Sequence, residues 1–322
     1  MQNRRIFLCG LGVMILGGVF FAQTAQSKET PLSEAVQGRW DLEMNFQGGR
    51  YPSWLEIKRS GHSTLVGQFV GTGGSVRPIS KVEVKDGQIE FTIPPQWEWK
   101  TPTPDIHFKA KLEGDKLRGT MTNQKGALMN WEGVRAPLLK RTGKLEWGNP
   151  IVLFNGKSLD GWKIQGGKGT GGWQLKDGLL SNEKPGDNLM TTRKFTDFRM
   201  HAEFKYPSGS NSGIYLRGRY EMQIEDNYGM EPESHYLGGI YGFLTPSVNA
   251  AKRAGEWQSV DITFVGRHVS ITMNGAKIIE NQEIPGITGG AIDSKEGEPG
   301  PIMFQGDHGK VQFRNVVITP AK

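Results

Sequence analysis

The sequence predicts an all-β protein. The chain of 322 residues contains 45 glycines and 9 tryptophans, a composition typical of short strands joined by many tight turns. Apolar and polar residues alternate with a period of two in successive segments, and no helical period persists beyond one or two turns. Asp-Gly, Asn-Gly and Ser-Gly pairs separate these segments, as expected for hairpins. The length favours two domains.

Residues 1–27 have the pattern of a bacterial secretory signal peptide. Arg4 and Arg5 form a basic region, residues 6–22 are apolar, and Ala25–Ser27 supplies the small residues that signal peptidase recognises. The alternative is a retained N-terminal anchor, for which the apolar run is short. Cleavage would remove the one cysteine, Cys9, which excludes disulfides, thiol catalysis and cysteine zinc sites. We therefore expect a secreted or periplasmic protein with no stable membrane span after signal cleavage.

The charge of the chain is mildly basic. The formal net charge is +6, and removal of Arg4 and Arg5 lowers it to +4 because residues 1–27 contain no acidic residue. Nucleic-acid binding usually requires a concentrated stripe of Lys and Arg, and the sequence has no long run of either. A nucleic-acid partner is therefore not expected.

The first predicted domain, residues 36–141, contains eight short strand candidates at near-regular spacing. This spacing favours a small closed barrel, which resembles the lipocalins in architecture, or a sandwich. The aromatic segment 94–99 (PPQWEW) would either stack on a sugar ring or cover one end of the barrel. The predicted strands are residues 38–44, 54–58, 64–70, 79–85, 88–93, 106–112, 116–122 and 129–134.

A second predicted domain, residues 148–320, follows a polar linker marked by Gly and Pro. Six motifs occur in order from residue 153 to residue 318: LFNGKSLDGWK, GGWQLKDGLLS, NSGIYLRGRYEMQIEDNYG, HYLGGIYG, GEWQSVDITF and GPIMFQGDHGKVQFRNVVI. Together they resemble the 3-keto-disaccharide (3-keto-glycoside) hydrolase domain family. The resemblance implies a concanavalin A-like jelly-roll sandwich of two antiparallel sheets. It also implies cleavage of glycosides oxidised at C3, by C2 proton abstraction, elimination at C1 and hydration.

The segment 209–242 contains most of the candidate site residues of this domain. Its alternation places four apolar side chains on one strand face, those of Ile214, Leu216, Met222 and Ile224. The other face receives Tyr215, Arg217, Arg219, Glu221, Gln223 and Glu225. Gly218 between them is expected to form a bulge or a bend. The polar row is either a solvated outer face or the floor of a sugar site.

A conventional glycosidase needs two carboxyl groups about 5–9.5 Å apart. Glu221 and Glu225 on one extended strand would lie about 13 Å apart, so a second acid such as Asp307 or Glu231 would be required. The sequence therefore offers no direct support for a two-carboxylate mechanism on this strand.

The chemistry that the resemblance implies needs a base, an acid and a group that stabilises an enolate. We assign the catalytic roles to His235 and Glu221. One divalent metal ion would stabilise the enolate, with Glu221, Asp226 and His235 as ligands, or Arg217 would do so as a fixed cation. No nucleotide cofactor is expected. The substrate-binding candidates are Arg217, Gln223, Tyr241, Asp307 and His308.

Three functions are compatible with these residues. The first is cleavage of 3-keto-glycosides, with an oligosaccharide or glycoside as substrate. The second is non-catalytic polysaccharide binding, because fold and family alone do not establish catalysis. The third is conventional glycoside hydrolysis on the same sandwich.

Overall fold

The N-terminal part of the chain folds into a closed barrel of eight antiparallel strands in sequence order. A computed structural model describes residues 30–96, 103–122 and 126–322. After one helical turn, α1 (Leu32–Ala35), each strand pairs with the next, and the first pairs with the eighth. The strands are β1 (Gly38–Phe46), β2 (Gly49–Ser60), β3 (Thr64–Val70), β4 (Val76–Lys85), β5 (Gln88–Ile93), β6 (Ile106–Glu113), β7 (Lys116–Thr122) and β8 (Leu128–Arg135). Of the two predicted architectures, the closed barrel is confirmed.

Alternating side chains fill the barrel interior. Trp40, Leu42 and Met44 of β1 all point inward and are buried, as the period of two predicts. Phe91 and Phe108 stack at the centre with ring centroids 4.5 Å apart. The barrel thus has a hydrophobic core of its own.

The C-terminal part is a sandwich of two antiparallel sheets. Its strands are β9 (Ile151–Phe154), β10 (Trp162–Ile164), β11 (Trp173–Lys176), β12 (Leu179–Asn182), β13 (Leu189–Thr191), β14 (Phe198–Lys205), β15 (Asn211–Leu216), β16 (Tyr220–Glu225), β17 (Gln258–Val265), β18 (His268–Met273), β19 (Ala276–Glu283), β20 (Met303–Phe304) and β21 (Val311–Pro320). The five-stranded sheet has the order β10-β13-β20-β15-β16, and the eight-stranded sheet has the order β11-β12-β21-β14-β17-β18-β19, with β9 paired to β21. The predicted all-β fold, a barrel followed by a sandwich, is confirmed.

Aromatic side chains fill the space between the two sheets. Phe304 of the smaller sheet stacks on Phe313 of the larger one with ring centroids 3.9 Å apart, and Trp162 stacks on Phe304. Such pairs contribute about 0.5–1.5 kcal/mol beyond the burial of their area. This core holds the five-stranded sheet in place, and the opposite face of that sheet is left for polar side chains.

The barrel and the sandwich are packed together within one compact unit, Leu32–Lys322. Trp54 of β2 belongs to the core of the sandwich and meets Phe243 edge to face at 5.6 Å. A Cβ at Gly286 would lie 2.2 Å from the Trp54 indole, so only glycine lets the loop pass this close. The long segment between β19 and β20 is therefore held against the barrel.

Two predictions concern residues outside those that the structure describes. The predicted signal peptide, residues 1–27, is one of them. The tryptophans of the aromatic segment, Trp97 and Trp99, are the other. Within the described ranges, no helix is long and apolar enough to cross a membrane.

Candidate functional site

The site is built on the hairpin of β15 and β16, at one edge of the five-stranded sheet. The register places Tyr215 opposite Glu221 and Gly213 opposite Gln223. Both backbone hydrogen bonds of Glu221 point away from β15, to Thr288 Oγ1 and to the Tyr241 N–H. Tyr215 and Glu221 are therefore a non-hydrogen-bonded pair, the kind in which facing side chains lie closest.

The apolar face of this hairpin is as predicted, but the polar row is shorter. Ile214, Leu216, Met222 and Ile224 are all buried in the core. Residues 217–219 form the turn instead of continuing a strand, since Leu216 already pairs with Tyr220. The predicted bend at Gly218 is thus a full reversal, and Arg217 and Arg219 leave the row.

The Glu221 carboxyl group is buried and hydrogen-bonded to a tyrosine. The Tyr215 hydroxyl lies 2.9 Å from Glu221 Oε2 and 2.9 Å from the Gly289 carbonyl oxygen. Burial raises the pKa of Glu221 to about 8, while the Tyr215 hydrogen bond and the charge of His308 act in the opposite direction. Glu221 is therefore a protonated, neutral acid at pH 7.

The hydrogen bonds around Tyr215 are consistent with this protonation state. The phenol has one proton, and the Gly289 carbonyl can only accept. When Glu221 is protonated, it donates to the Tyr215 oxygen, and Tyr215 donates to Gly289. When Glu221 is ionised, Tyr215 must turn its proton to the carboxylate, and Gly289 loses this donor. In the neutral acid, therefore, Glu221, Tyr215 and the Gly289 carbonyl all have a hydrogen-bond partner.

Gly213 makes room for this carboxyl group. A Cβ built on Gly213 would lie 2.3 Å from Glu221 Oε1, closer than any contact between non-bonded atoms. The Glu221 side chain thus folds across the strand surface over Gly213. Any larger residue there would displace the carboxyl group.

An ion pair and an aromatic pair flank Glu221. His308 Nδ1 lies 2.8 Å from Asp307 Oδ1, and this hydrogen bond raises the pKa of His308 and lowers that of Asp307. His308 and Glu221 interact electrostatically. Burial raises the pKa of Tyr241, as do Glu221 and Glu225 when they are ionised. The ring of His235 meets that of Tyr241 edge to face, with ring centroids 5.0 Å apart. Both pairs are more exposed than Glu221.

Two buried amide side chains also belong to this face. Gln223 hydrogen-bonds Glu225. Among the described residues, the Oε1 atoms of Gln223 and Gln305 are buried without a hydrogen-bond donor. The Gln305 N–H donates to the Gly213 carbonyl, so the two glutamines lie on strands on either side of Gly213. A ligand hydroxyl could donate to either oxygen.

The barrel supports the loop that binds Tyr215. The Gly290 N–H donates to the Thr72 carbonyl of the β3–β4 loop at 3.1 Å. A Cβ at Gly289 would lie 2.2 Å from the Gly74 oxygen of the same loop. The position of the Gly289 carbonyl, and with it the hydrogen bond of Tyr215, therefore depends on the barrel.

Two predicted site residues have partners elsewhere. The Arg217 guanidinium is buried, donates to the Tyr220 hydroxyl and the Gly266 carbonyl, and packs on the ring of Phe264. The Asp226 carboxylate accepts hydrogen bonds from the Gly209 N–H and from the Ser208 hydroxyl. These contacts give Arg217 a role in packing and Asp226 a role in a turn, and neither side chain is presented to the Glu221 carboxyl group.

The predicted metal ligands do not form a cluster. Among the described residues, no group of three or more His, Cys, Asp or Glu side chains is arranged to hold a metal ion. The Glu221 carboxyl group is hydrogen-bonded to Tyr215, and the Asp226 carboxylate accepts from Ser208 and the Gly209 N–H. The proposed set of Glu221, Asp226 and His235 therefore does not fit a metal site, and we derive no step through a metal.

Comparison with known proteins identifies the sandwich. Residues 149–319, more than half of the chain, match the 3-keto-alpha-glucoside-1,2-lyase-like domain. The chain belongs to this family. The family assignment made from the six motifs is thereby confirmed, and Glu221, Tyr241 and His308 all lie inside the 3-keto-alpha-glucoside-1,2-lyase-like domain.

Individual relatives are more distant. A 3-keto-disaccharide hydrolase of Bacteroides thetaiotaomicron is 23% identical over an alignment that covers 40% of this chain and 57% of that protein. The chain thus spans little more than half the length of that relative. Two structures of candidate glycosyl hydrolases from Parabacteroides distasonis, both with a TM-score of 0.46, are 30% and 24% identical. The alignments cover 56% and 52% of this chain, respectively, and 92% of the relative's chain in both cases.

Sequence reasoning missed the residues that hold Glu221. Tyr215 was placed on the polar face without a role, and Gly213, Gln305 and Gly289 were not singled out. The signal for Tyr215 was present, since Tyr215 and Glu221 become partners if Arg217, Gly218 and Arg219 form a three-residue turn. Gly289 and Gln305 offered no such signal, because their positions depend on segments more than 60 residues away.

Proposed function

We propose that this protein cleaves glycosides that carry a ketone at C3 of the sugar. Family membership supports the substrate class. The proposed mechanism rests on one observation: the Glu221 carboxyl group is buried, is hydrogen-bonded to Tyr215 and has a pKa raised to about 8. A neutral carboxylic acid at pH 7 can give a proton to a leaving oxygen.

The reaction has two stages. The C3 ketone acidifies the C2 proton, and a base removes it to give an enolate. The enolate electrons then form the C1–C2 double bond as the C1 oxygen leaves with the proton of Glu221. Water adds to C1, a proton returns to C2, and the sum is hydrolysis of the glycosidic bond.

Three further side chains have roles in this scheme. His235 is the proposed base, because it is an imidazole near Tyr241 and is not tied to a carboxylate. The hydrogen bond to Asp307 raises the pKa of His308, and in its protonated form His308 would place a positive charge near the developing enolate. Gln223 presents a free buried carbonyl oxygen for a sugar hydroxyl. The expected localisation of such a protein is the periplasm or the exterior of the cell.

The deciding experiment compares an oxidised substrate with its parent. The mature protein is incubated with a 3-keto-glycoside and with the unoxidised glycoside, each with and without a chelator. We expect release of the aglycone from the keto compound alone. Cleavage of the parent would instead indicate a conventional glycosidase, and binding without turnover would indicate a carbohydrate-binding protein. Loss of activity in the chelator arm alone would show that a metal takes part.

The pH dependence should report the proton on Glu221. Below about pH 8 the group is neutral and can donate, and above it the group is a carboxylate and cannot. We therefore expect kcat/KM to fall as the pH rises through about 8, tenfold per unit beyond it. The profile is measured from pH 6 to 10 with an enzyme-free blank at every point, because keto-glycosides decompose in base. A rate that rises through pH 8 would assign Glu221 the role of base.

A further inference from the structure

The barrel contains a cavity that the proposed reaction does not use. Its volume is about 560 Å³, which is within the range of small-molecule sites. An eight-stranded barrel has room for one such ligand inside. Apolar side chains form most of the described wall, among them Met44, Phe69, Ile93, Met121 and Met129.

One charged side chain lies in this apolar wall. Arg77 of β4 is paired in register with Phe69, a residue of the barrel core, so the two side chains share the inward face. Arg77 is half-buried and is the one charged residue among the described lining residues. Within the described part of the chain, its guanidinium has no hydrogen bond or ion pair.

The described wall supplies no carboxylate for this guanidinium. An acidic group on a ligand would form a charge-assisted hydrogen bond with it. On the same strand, Lys81 points outward and pairs with Glu83 at 2.7 Å. Arg77 has no such partner among the described residues, so its guanidinium is available to a ligand.

We propose that the barrel cavity binds an apolar small molecule with one acidic group, which is seated against Arg77. Binding of such a molecule does not require the reaction assigned to the sandwich, whereas the second of its two sources, an aglycone, rests on that proposed function. The ligand is either a free amphiphile or the apolar aglycone of a glycoside. The second source is compatible with the fold because Thr72, which lines the cavity, also binds Gly290 beside the Tyr215 site.

A pair of fluorescent probes separates the apolar contribution from the charge. The probes are 8-anilino-1-naphthalenesulfonate and N-phenyl-1-naphthylamine, which share a skeleton and differ in the sulfonate. Wild-type protein should bind one equivalent of each, the sulfonate about tenfold more tightly, since a charge-assisted contact has about that effect. Arg77→Gln should remove this preference and leave the affinity for the neutral probe unchanged.

Controls distinguish the cavity from other surfaces. Lys81→Gln and Glu221→Gln should leave the affinities for both probes unchanged. Met129→Trp should reduce both by filling the cavity. If that variant does not fold, the proposal is tested by one comparison, the ratio of sulfonate-probe affinity to neutral-probe affinity in wild type and in Arg77→Gln. Equal affinities in wild type, or equal weakening of both probes by Arg77→Gln, would overturn the proposal.

Competition identifies the source of the ligand. Displacement of the sulfonate probe by dodecanoate supports a free amphiphile, and displacement by a carboxyphenyl 3-keto-glucoside supports an aglycone subsite. Displacement by neither compound would count against the proposal, because both combine an apolar body with one acid.

Discussion

Glu221→Gln is expected to lower kcat on a 3-keto-glycoside by about 10²- to 10⁴-fold, the usual contribution of general acid catalysis. Glutamine has the shape of the neutral acid and keeps a hydrogen bond to Tyr215, so folding and KM should change little. The amide has no proton to give at neutral pH. Turnover is measured with an alkyl keto-glycoside, whose leaving oxygen needs a proton.

The leaving group tests the role of Glu221 as an acid. A nitrophenyl keto-glycoside releases a stable anion, so the defect of Glu221→Gln should shrink on that substrate. Gly213→Ala retains the acid but would displace its carboxyl group, and should show the same dependence on the leaving group. Glu225→Gln is the matched control, on the same strand and about 13 Å away, and should remain active. An equal defect on both substrates would reject general acid catalysis by Glu221.

The second large effect concerns stability. Arg267→Met is expected to lower the free energy of unfolding by about 3–5 kcal/mol, because removal of one partner leaves a buried charge unpaired. Arg267 Nε donates to Glu296 Oε2 at 3.0 Å, and Nη2 contacts the same oxygen. Glu296 is fully buried. Among the described residues, Glu296 Oε1 has no N–H donor, and Asp41 of the barrel hydrogen-bonds Glu296 when it is protonated.

Urea unfolding at pH 7 measures this effect. The control is Lys277→Met, which breaks an exposed pair with Glu280 and should change stability by at most about 1 kcal/mol. A double variant with Met at 267 and 296 should recover much of the loss, since the unpaired charge is then absent. A loss below about 1 kcal/mol in Arg267→Met would show that Glu296 is satisfied without Arg267.

The same cluster involves the barrel. Burial and the neighbouring Glu296 raise the pKa of Asp41 to about 8, against the charges of Arg267 and Arg219. At the contact between barrel and sandwich, the carboxyl groups of Asp41 and Glu296 thus lie near the guanidinium groups of Arg267 and Arg219. No local feature of β1 distinguishes Asp41 from an ordinary exposed aspartate in an alternating strand.

The positions of the strands could be predicted from the sequence because each depends on local information. A period of two, bounded by turn residues, specifies a strand and its buried face within a few residues. All eight barrel strands and the apolar face of Ile214, Leu216, Met222 and Ile224 followed from that pattern. The ordered motifs of the second domain were sufficient to identify its family.

The site depended on contacts that no local pattern contains. Whether Arg217 faced a substrate or the core was decided by the three-residue turn 217–219, which takes Arg217 and Arg219 out of the alternation of the strands. Burial raises the pKa of Glu221. Two different loops bind the hairpin that holds it, one through Gly289 to Tyr215 and the other through the Tyr241 N–H to the Glu221 carbonyl. The barrel in turn holds one of those loops through Thr72.

The sequence by itself therefore determined the strands, their buried faces and the family, because these depend on residue periodicity and on ordered motifs. The tertiary structure alone decided which carboxyl group is neutral and where Arg217 and Arg77 point. The physical reason is that a pKa and the direction of a charged side chain depend on desolvation and on partners from distant segments. Glu221 was a candidate site residue in the sequence, and its burial against Tyr215 raises its pKa, on which its proposed role as a general acid rests.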